Sequence, residues 1–390
     1  MRVAVVAGPD PGHAFPALAL CLRFLAAGDD PTLLTGTRWL DAARQEGVGA
    51  VELVGLSPMS GDDDADAGAK IHERAARMAV LNTDPIAALA PDLIISDSIT
   101  TCGGLVADLL GVPWIELNTH PLYRPSKGLP PLGSGLAPGT GVRGRLRDTV
   151  LRALSARSWR AGLRQRAAAR VQIGLPAHDP GPLRRLIATL PALEVPRPDW
   201  PAEAVVVGPL HYEPTTSVLT VPDGDGPLVM VAPSTASTGA VALADLALAT
   251  LVPGRVLPEG ARVAVSQLAG PAGDVPPWAV VGLGRQDELL GRADLLVCGA
   301  GHGIVSKAIL AGVPMVVVPG GGDQWEIANR LVRQGSAQLV RPLNADTLGA
   351  AVREVLGSPG YRDAVRRAGA TRVQVADPVQ VCHEALGVPA

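Results

Sequence analysis

The chain has 390 residues, 47% of them hydrophobic, with a formal net charge of −3 and a pI near 6.2. That length predicts two or three domains with sizeable cores, and the near-neutral charge argues against nucleic acid as a partner, since such proteins carry a basic domain or stripe. No run reaches 18 uninterrupted apolar residues, the first apolar run is too short for a signal sequence, and four scattered cysteines without C-x-x-C spacing suit reduced thiols, so we expect a cytoplasmic protein without a transmembrane helix.

Arg2 to Ala7 is a continuous apolar run, Gly8-Pro9-Asp10-Pro11-Gly12 forces a turn, and Ala14 to Ala27 repeats apolar residues at helical spacing. His13 is thereby predicted in the first turn of a helix, with Pro16 close enough to the start to be tolerated and Gly28 at the end. Further strand-like runs fall at Thr32 to Thr35, Ala50 to Val54, Asp92 to Ser96, Trp114 to Asn118 and Ala204 to Val207, with helical stretches between several of them. Such alternation predicts a parallel, doubly wound sheet. The acidic stretch Asp62 to Asp66 reads as a solvated loop, and residues 124–141, rich in Pro, Gly and Ser, as a long mobile loop of the kind that covers a ligand.

From Arg143 to Arg170 nine arginines face one acid, Asp148, on a helical pattern containing Leu146, Val150, Leu151, Leu154, Trp159 and Leu163. This is either a basic amphipathic helix for peripheral contact with an anionic membrane, or an arginine-coated exposed helix. Gly208 to Pro227 carries four prolines and breaks the periodicity, which marks an interdomain linker. A second alternating series follows: Leu228 to Ala232, Arg262 to Ser266, Ala279 to Val281, Leu295 to Cys298, Met315 to Val318 and Gln338 to Val340. The organisation expected is an N-terminal domain over residues 1–207, a linker over 208–227, a second domain over 228–368, and a C-terminal helix over 369–390 that crosses back to the first domain. A ligand site between the two domains follows from where pockets form.

Within the second domain, Leu295 to Cys298 runs into Gly299-Ala300-Gly301-His302-Gly303, a helical stretch from Ile304, a strand from Pro314 to Val318, and then Gly320-Gly321-Gly322-Asp323-Gln324. Glycines between a buried strand and a helix let backbone N–H groups approach an anion at the helix N-terminus, so a phosphate-bearing ligand is expected over Gly301 to Ile304.

Several short motifs now stand in order: Gly12-His13 with Pro16, Pro91-Asp92 to Asp97, Leu110-Gly111-Val112-Pro113, Val207-Gly208-Pro209-Leu210, Ala232-Pro233-Ser234-Thr235, Arg292-Ala293-Asp294, Ala311-Gly312-Val313-Pro314 and Asp323-Gln324. In this order and spacing the chain resembles the GT-B nucleotide-sugar-dependent glycosyltransferases that act on small lipophilic acceptors such as macrolides, sterols and flavonoids. Its glycine loop is also similar to that of the GT-B GlcNAc transferases of peptidoglycan lipid intermediates. Both imply an α/β protein of two Rossmann-like domains facing across a cleft. They differ in the acceptor.

The resemblance implies an inverting transfer from a UDP- or dTDP-sugar to a hydroxyl group, with no cofactor and no metal. His13 matches the base that deprotonates the acceptor, and Asp97, at the end of a strand, matches the carboxylate that orients it. A helix N-terminus disfavours imidazolium, so His13 is expected to be held neutral. Donor contacts are implied for Ser234, Thr235, Leu283, Gln286, Gly301, His302, Gly303, Ile304, Lys307, Asp323 and Gln324, with Asp323 and Gln324 on the sugar hydroxyls, and an acceptor pocket for Gly12, His120 and Tyr123.

Three positions depart from the family. Gly299 stands where many relatives carry a phosphate-contacting histidine, Lys307 where they carry a ribose-binding glutamate, and Leu283 where an aromatic stacks on the base. Lysine only donates, so it cannot accept from ribose hydroxyls. It either reaches the diphosphate or faces solvent. These departures motivate an alternative, a GT-B-like binding or auxiliary protein without turnover. A nicotinamide oxidoreductase fits less well, because Gly8 and Gly12 do not make G-x-G-x-x-G and Thr35-Gly36 lacks the ribose-binding acid; an epimerase on the same fold would not need the His13–Asp97 pair.

Overall fold

A computed structural model describes residues 1–57, 67–234, 242–268 and 273–388. Thr235 and the acidic stretch Asp62 to Asp66 lie outside them. The first half alternates β1 (Arg2–Val6), α1 (Pro11–Ala26), β2 (Asp30–Thr35), α2 (Leu40–Gln45), β3 (Gly49–Glu52), α3 (Ala67–Ala88), β4 (Leu93–Asp97), α4 (Cys102–Leu110), β5 (Trp114–Asn118), α5 (Gly141–Gln172), β6 (Arg185–Ile187) and β7 (Ala204–Val206). The second contains β8 (Leu228–Ala232), α6 (Leu243–Thr250), β9 (Arg262–Ser266), β10 (Ala279–Gly282), α7 (Gln286–Leu290), β11 (Leu295–Cys298), α8 (His302–Ala311), β12 (Met315–Val317), α9 (Asp323–Gln334), β13 (Ala337–Leu339), α10 (Ala345–Gly357), α11 (Pro359–Ala370) and α12 (Pro378–Leu386).

The strands form two parallel sheets, one of seven in the order β3-β2-β1-β4-β5-β6-β7 and one of six in the order β10-β9-β8-β11-β12-β13. Their inner strands are apolar throughout because both faces are covered: β1 buries Val3 and Val5 against α1 and Ala4 and Val6 against α3 and α4. In the second sheet β11 does the same, with Leu296 and Cys298 toward α8 and α9 and Leu295 and Val297 toward α6 and α10. Strand order reverses between β1 and β4, and again between β8 and β11. In open parallel sheets a ligand crevice lies beyond the carboxyl ends of the strands at such a reversal. The loops after these four strands carry His13, Asp97, Ser234 and Gly299 to His302.

The chain closes on itself. Helix α12 packs on the first domain, where Val379, Val381 and Cys382 join the core of Leu18 and Phe24, and the His383 ring bonds Asp29 at 2.8 Å. Asp29 also takes the terminal amino group of Met1 at 2.6 Å.

Local readings needed correction in several places. Strand β6 escaped the sequence reading because it is three residues long and opens on Arg185, a charge that survives there only because Glu116 and Glu203 pair with it. Helix α1 begins at Pro11, so Pro16 lies inside it rather than at its tolerant first turn, and the carbonyl of Gly12 loses its helical donor. The arginine-rich segment is a helix of 32 residues whose apolar residues Val142, Leu146, Val150, Leu154 and Trp159 are exposed and whose arginines lie on every side of the axis. The order of side chains around the axis, not their number, decides amphipathicity. Its C-terminal end is tied down by Arg170, buried against Asp108 at 2.5 Å and the Pro176 carbonyl at 2.9 Å. Among the described residues no helix is long and apolar enough to cross a membrane.

Candidate active site

The turn after β1 is built rigidly. Thr35 donates to the Gly8 carbonyl at 3.1 Å, the Trp39 indole N–H to the Pro9 carbonyl at 2.6 Å, and a Cβ on Gly8 would lie 2.9 Å from Thr100 Oγ1. This close approach brings the start of α1 against the end of β4. His13 Nδ1 lies 2.8 Å from Asp97 Oδ1, while Asp97 Oδ2 accepts from the N–H groups of Thr100 at 2.9 Å and Ile99 at 3.3 Å. An ionised carboxylate only accepts, so Nδ1 carries the proton and Nε2 is the ring's acceptor. Thr119 Oγ1 stands 3.5 Å from Nδ1 on the other side. The space over Gly12 is open.

The electrostatics of His13 reverse the expectation of a ring held neutral by the helix. Burial lowers its pKa, but the charge and hydrogen bond of Asp97, then Asp10 and Asp323, outweigh it, and the net shift is upward. Asp97 moves down: burial opposes ionisation, and His13 together with the Thr100 contacts overcomes it. Each partner therefore favours the charged form of the other. Asp323 belongs to α9 in the second domain, so the charge acting on His13 comes from both domains.

In the donor half, β11 turns into α8 through Ala300, held at φ 61° although it is not glycine. This left-handed turn costs an alanine roughly 1–2 kcal/mol and is the kind of strain found at functional loops. It leaves the N–H groups up to Ile304 ahead of the first helical bond, Val305 to the Gly301 carbonyl at 3.1 Å. A Cβ on Gly301, Gly303 or Gly321 would meet nothing within 4 Å. The helix N-terminus thus presents bare backbone donors to open space, which suits an anion. At Gly299 a Cβ would lie 2.9 Å from Ser234 Cβ, so the loops after β8 and β11 close up where relatives place a histidine.

Three side chains of the segment from His302 to Gln324 make contacts that the sequence did not indicate. The Gln324 carboxamide accepts from Gly320 N–H at 3.0 Å and donates to Ser234 Oγ at 2.8 Å, so it braces the two loops. The His302 ring reaches the first domain, where Nε2 meets Thr189 Oγ1 at 2.8 Å, and leaves the backbone N–H at the start of α8 unaffected. Burial, with smaller contributions from His120 and His211, pushes its pKa down to about 3, so it stays neutral. Lys307 takes neither of its two expected positions: Nζ donates to Glu213 of the linker at 2.6 Å and to Gln286 at 3.1 Å. Leu283 and Asp323 are exposed.

His120 and Tyr123 stack with centroids 4.6 Å apart, and His120 Nδ1 bonds the Pro121 carbonyl at 2.8 Å. Burial lowers the pKa of His120, and the charges of His13 and Asp323 both reach it, so the pair sits between the two half-sites. The loop after it, read from sequence as mobile, is pinned across the domain boundary. Gly135 N–H donates to Glu326 at 3.1 Å, its carbonyl accepts from Arg333 at 2.7 Å, and Ser134 accepts from the Trp325 indole at 3.4 Å. Gly135 has φ 68°, and a Cβ there would lie 2.4 Å from the Trp325 nitrogen. These long-range partners, like Thr189 and Glu213, left no local signal in the sequence.

Residues 279–381 match the family model of UDP-glucoronosyl and UDP-glucosyl transferases. Over 93% of this chain and 93% of the relative, the sequence is 27% identical to 4'-demethylrebeccamycin synthase of Lentzea aerocolonigenes. The fold superposes with a TM-score of 0.75 on the glycotransferase of kitacinnamycin, at 21% identity over 100% of this chain and 99% of that one. It also superposes, at 0.65 and 20% identity over 98% and 99%, on the Streptomyces sp. SF2575 glycosyltransferase SsfS6, complexed with thymidine diphosphate. The architecture is therefore GT-B, and the resemblance to nucleotide-sugar glycosyltransferases of that type holds across the chain.

Proposed function

We propose that this chain, a glycosyltransferase of the GT-B type, moves a sugar with inversion from a nucleoside diphosphate, UDP or dTDP, to a hydroxyl of a small lipophilic acceptor, without a metal. The observation that carries the reading is the His13–Asp97 pair at one sheet reversal, opposite the uncovered N-terminus of α8 at the other. Asp97 fixes the Nδ1–H tautomer. His13 Nε2 then takes the acceptor proton as the hydroxyl oxygen attacks the anomeric carbon, and the carboxylate stabilises the imidazolium that forms.

The leaving diphosphate settles on the N–H groups from Gly301 to Ile304, whose helix supplies the positive end of its dipole. Asp323, exposed at the start of α9, accepts from donor-sugar hydroxyls in this reading, and His120 with Tyr123 lines the acceptor side. Among the described residues no group of His, Cys, Asp or Glu is arranged to hold a metal, and the anion seat is built of backbone donors. SsfS6 with thymidine diphosphate and the names of the relatives, which act on natural products, support a nucleotide donor and a lipophilic acceptor. A base oriented by Asp97 and partly exposed at the cleft favours turnover over the alternative of a binding protein.

A thermal-shift screen against UDP- and dTDP-sugars, followed by transfer assays with the stabilising donor, tests the reading. Selective stabilisation by one donor and glycoside formation are expected. No response to any nucleotide sugar at millimolar concentration would refute it.

A further inference from the structure

We propose that Glu213, a linker residue, is the carboxylate that receives the ribose hydroxyls of the bound nucleotide, and that Lys307 serves to hold it there. This rests on the donor reading above. Residues 303 and 307 lie four apart on α8, hence on one face, with Lys307 one turn, about 5.4 Å, below the exposed Gly303 backbone. A nucleoside whose diphosphate sits on the first turn must place its ribose within reach of the next.

At that turn the structure shows a three-part cluster. Lys307 Nζ donates to Glu213 Oε1 at 2.6 Å and Gln286 Oε1 at 3.1 Å, while the Gln286 backbone N–H donates to Glu213 Oε2 at 3.1 Å. The remaining Gln286 amide group leans on Ser266 at 3.4 Å. The lysine has donors only, and the glutamine carbonyl, with Lys307 on one of its two lone pairs, cannot receive both hydroxyls of a diol. The carboxylate can: it has about four lone-pair sites, and these bonds occupy one on each oxygen.

The side chains of Glu213 and Lys307 remain 14% and 10% exposed, so the cluster keeps an edge open to solvent rather than lying in a sealed core. Its electrostatics also suit the task. A lone carboxylate near a diphosphate would repel it, whereas the Lys307 ammonium neutralises Glu213 while leaving its outer lone pairs available. Because the carboxylate comes from the linker that joins the two domains, nucleotide binding would engage that linker directly.

Calorimetry on the full chain tests this, with UDP and dTDP each titrated against its 2′,3′-dideoxy counterpart. The parent should bind the hydroxylated nucleotide about 10- to 100-fold more tightly, the range expected for hydrogen bonds to a charged group. Glu213→Gln should lose that preference while binding the dideoxy compounds as the parent does. The exchange variant Glu213→Lys/Lys307→Glu keeps both the ion pair and a carboxylate in the cluster, and should retain a preference. Equal parental binding of each pair, or a Glu213→Gln variant that keeps the parental preference, or one that weakens both compounds alike as a mere linker fastening would, overturns the proposal. Loss of preference in an exchange variant that melts as the parent does overturns it as well. A parent that binds no nucleotide at all overturns the donor reading, and this inference with it.

Discussion

Asp97→Asn should damage transfer out of proportion to the single atom changed, and the structure says why. Asp97 uses both oxygens: Oδ1 faces the His13 ring at 2.8 Å, and Oδ2 accepts from Thr100 at 2.9 Å and Ile99 at 3.3 Å. An asparagine has one acceptor and one donor end. If its oxygen stays with the two backbone N–H groups, its NH₂ points at Nδ1, which must then accept, and the ring proton moves to Nε2. That tautomer cannot take a proton from an acceptor hydroxyl. If the amide turns the other way, its NH₂ faces two N–H donors in a fully buried site, at a cost of about 1–3 kcal/mol per unsatisfied group. That cost disfavours the second arrangement, and the first removes the base, so the transfer rate should fall by about 10²- to 10⁴-fold. Nucleotide affinity should not change, because Asp97 belongs to the other domain. Steady-state rates alongside calorimetry with UDP or dTDP read both. An Asp97→Asn enzyme within about threefold of the parent rate would refute the tautomer argument.

His13→Ala should lower transfer by a similar 10²- to 10⁴-fold with nucleotide binding intact, checked by the same pair of assays. The raised pKa of His13 gives a pH profile with a definite sign. Transfer needs the neutral ring, so the acid limb should lie above pH 6.5, with the rate lost as pH falls through it. The contribution of His13 to stability runs oppositely, being full below its unfolded value and lost as pH rises through the folded one, while that of Asp97, whose pKa is lowered, is lost in acid. Gly135→Ala should loosen the loop that bridges to α9, since its Cβ would overlap Trp325 and its φ is left-handed. A drop of about 1–3 kcal/mol in urea unfolding, with faster proteolysis between residues 119 and 140, is expected. Arg170→Ala strands Asp108 without its buried partner and should cost about 3–5 kcal/mol in the same unfolding assay.

Much of the fold was legible because buried parallel strands leave continuous apolar runs, and the turns between strand and helix are marked by glycine and proline. β11 with its glycine loop and β1 with the turn to His13 are cases where one local pattern fixed the element and the residue at its end. What failed was non-local. Nothing near Gly135 says that it meets Glu326, and nothing near His302 says that its ring crosses to Thr189. The lysine at 307 looked like a lost acceptor when read alone, because its partner Glu213 lies in an irregular linker that periodicity cannot place. The direction of the His13 shift was misjudged for the same reason. The helix was visible in the sequence, whereas the three carboxylates gathered around the ring come from three separate segments, and their sum decides the sign.

The central claim is that an acceptor hydroxyl, deprotonated by His13, attacks the sugar from the face opposite a diphosphate held at the N-terminus of α8. The most direct measurement is the anomeric configuration of the product, read from the proton coupling constant in the NMR spectrum after reaction with the donor found by the thermal-shift screen. An α-linked nucleotide sugar should give the β-glycoside, in amounts that collapse in His13→Ala. A product that keeps the α configuration, or that forms equally without the His13 imidazole, would contradict the account.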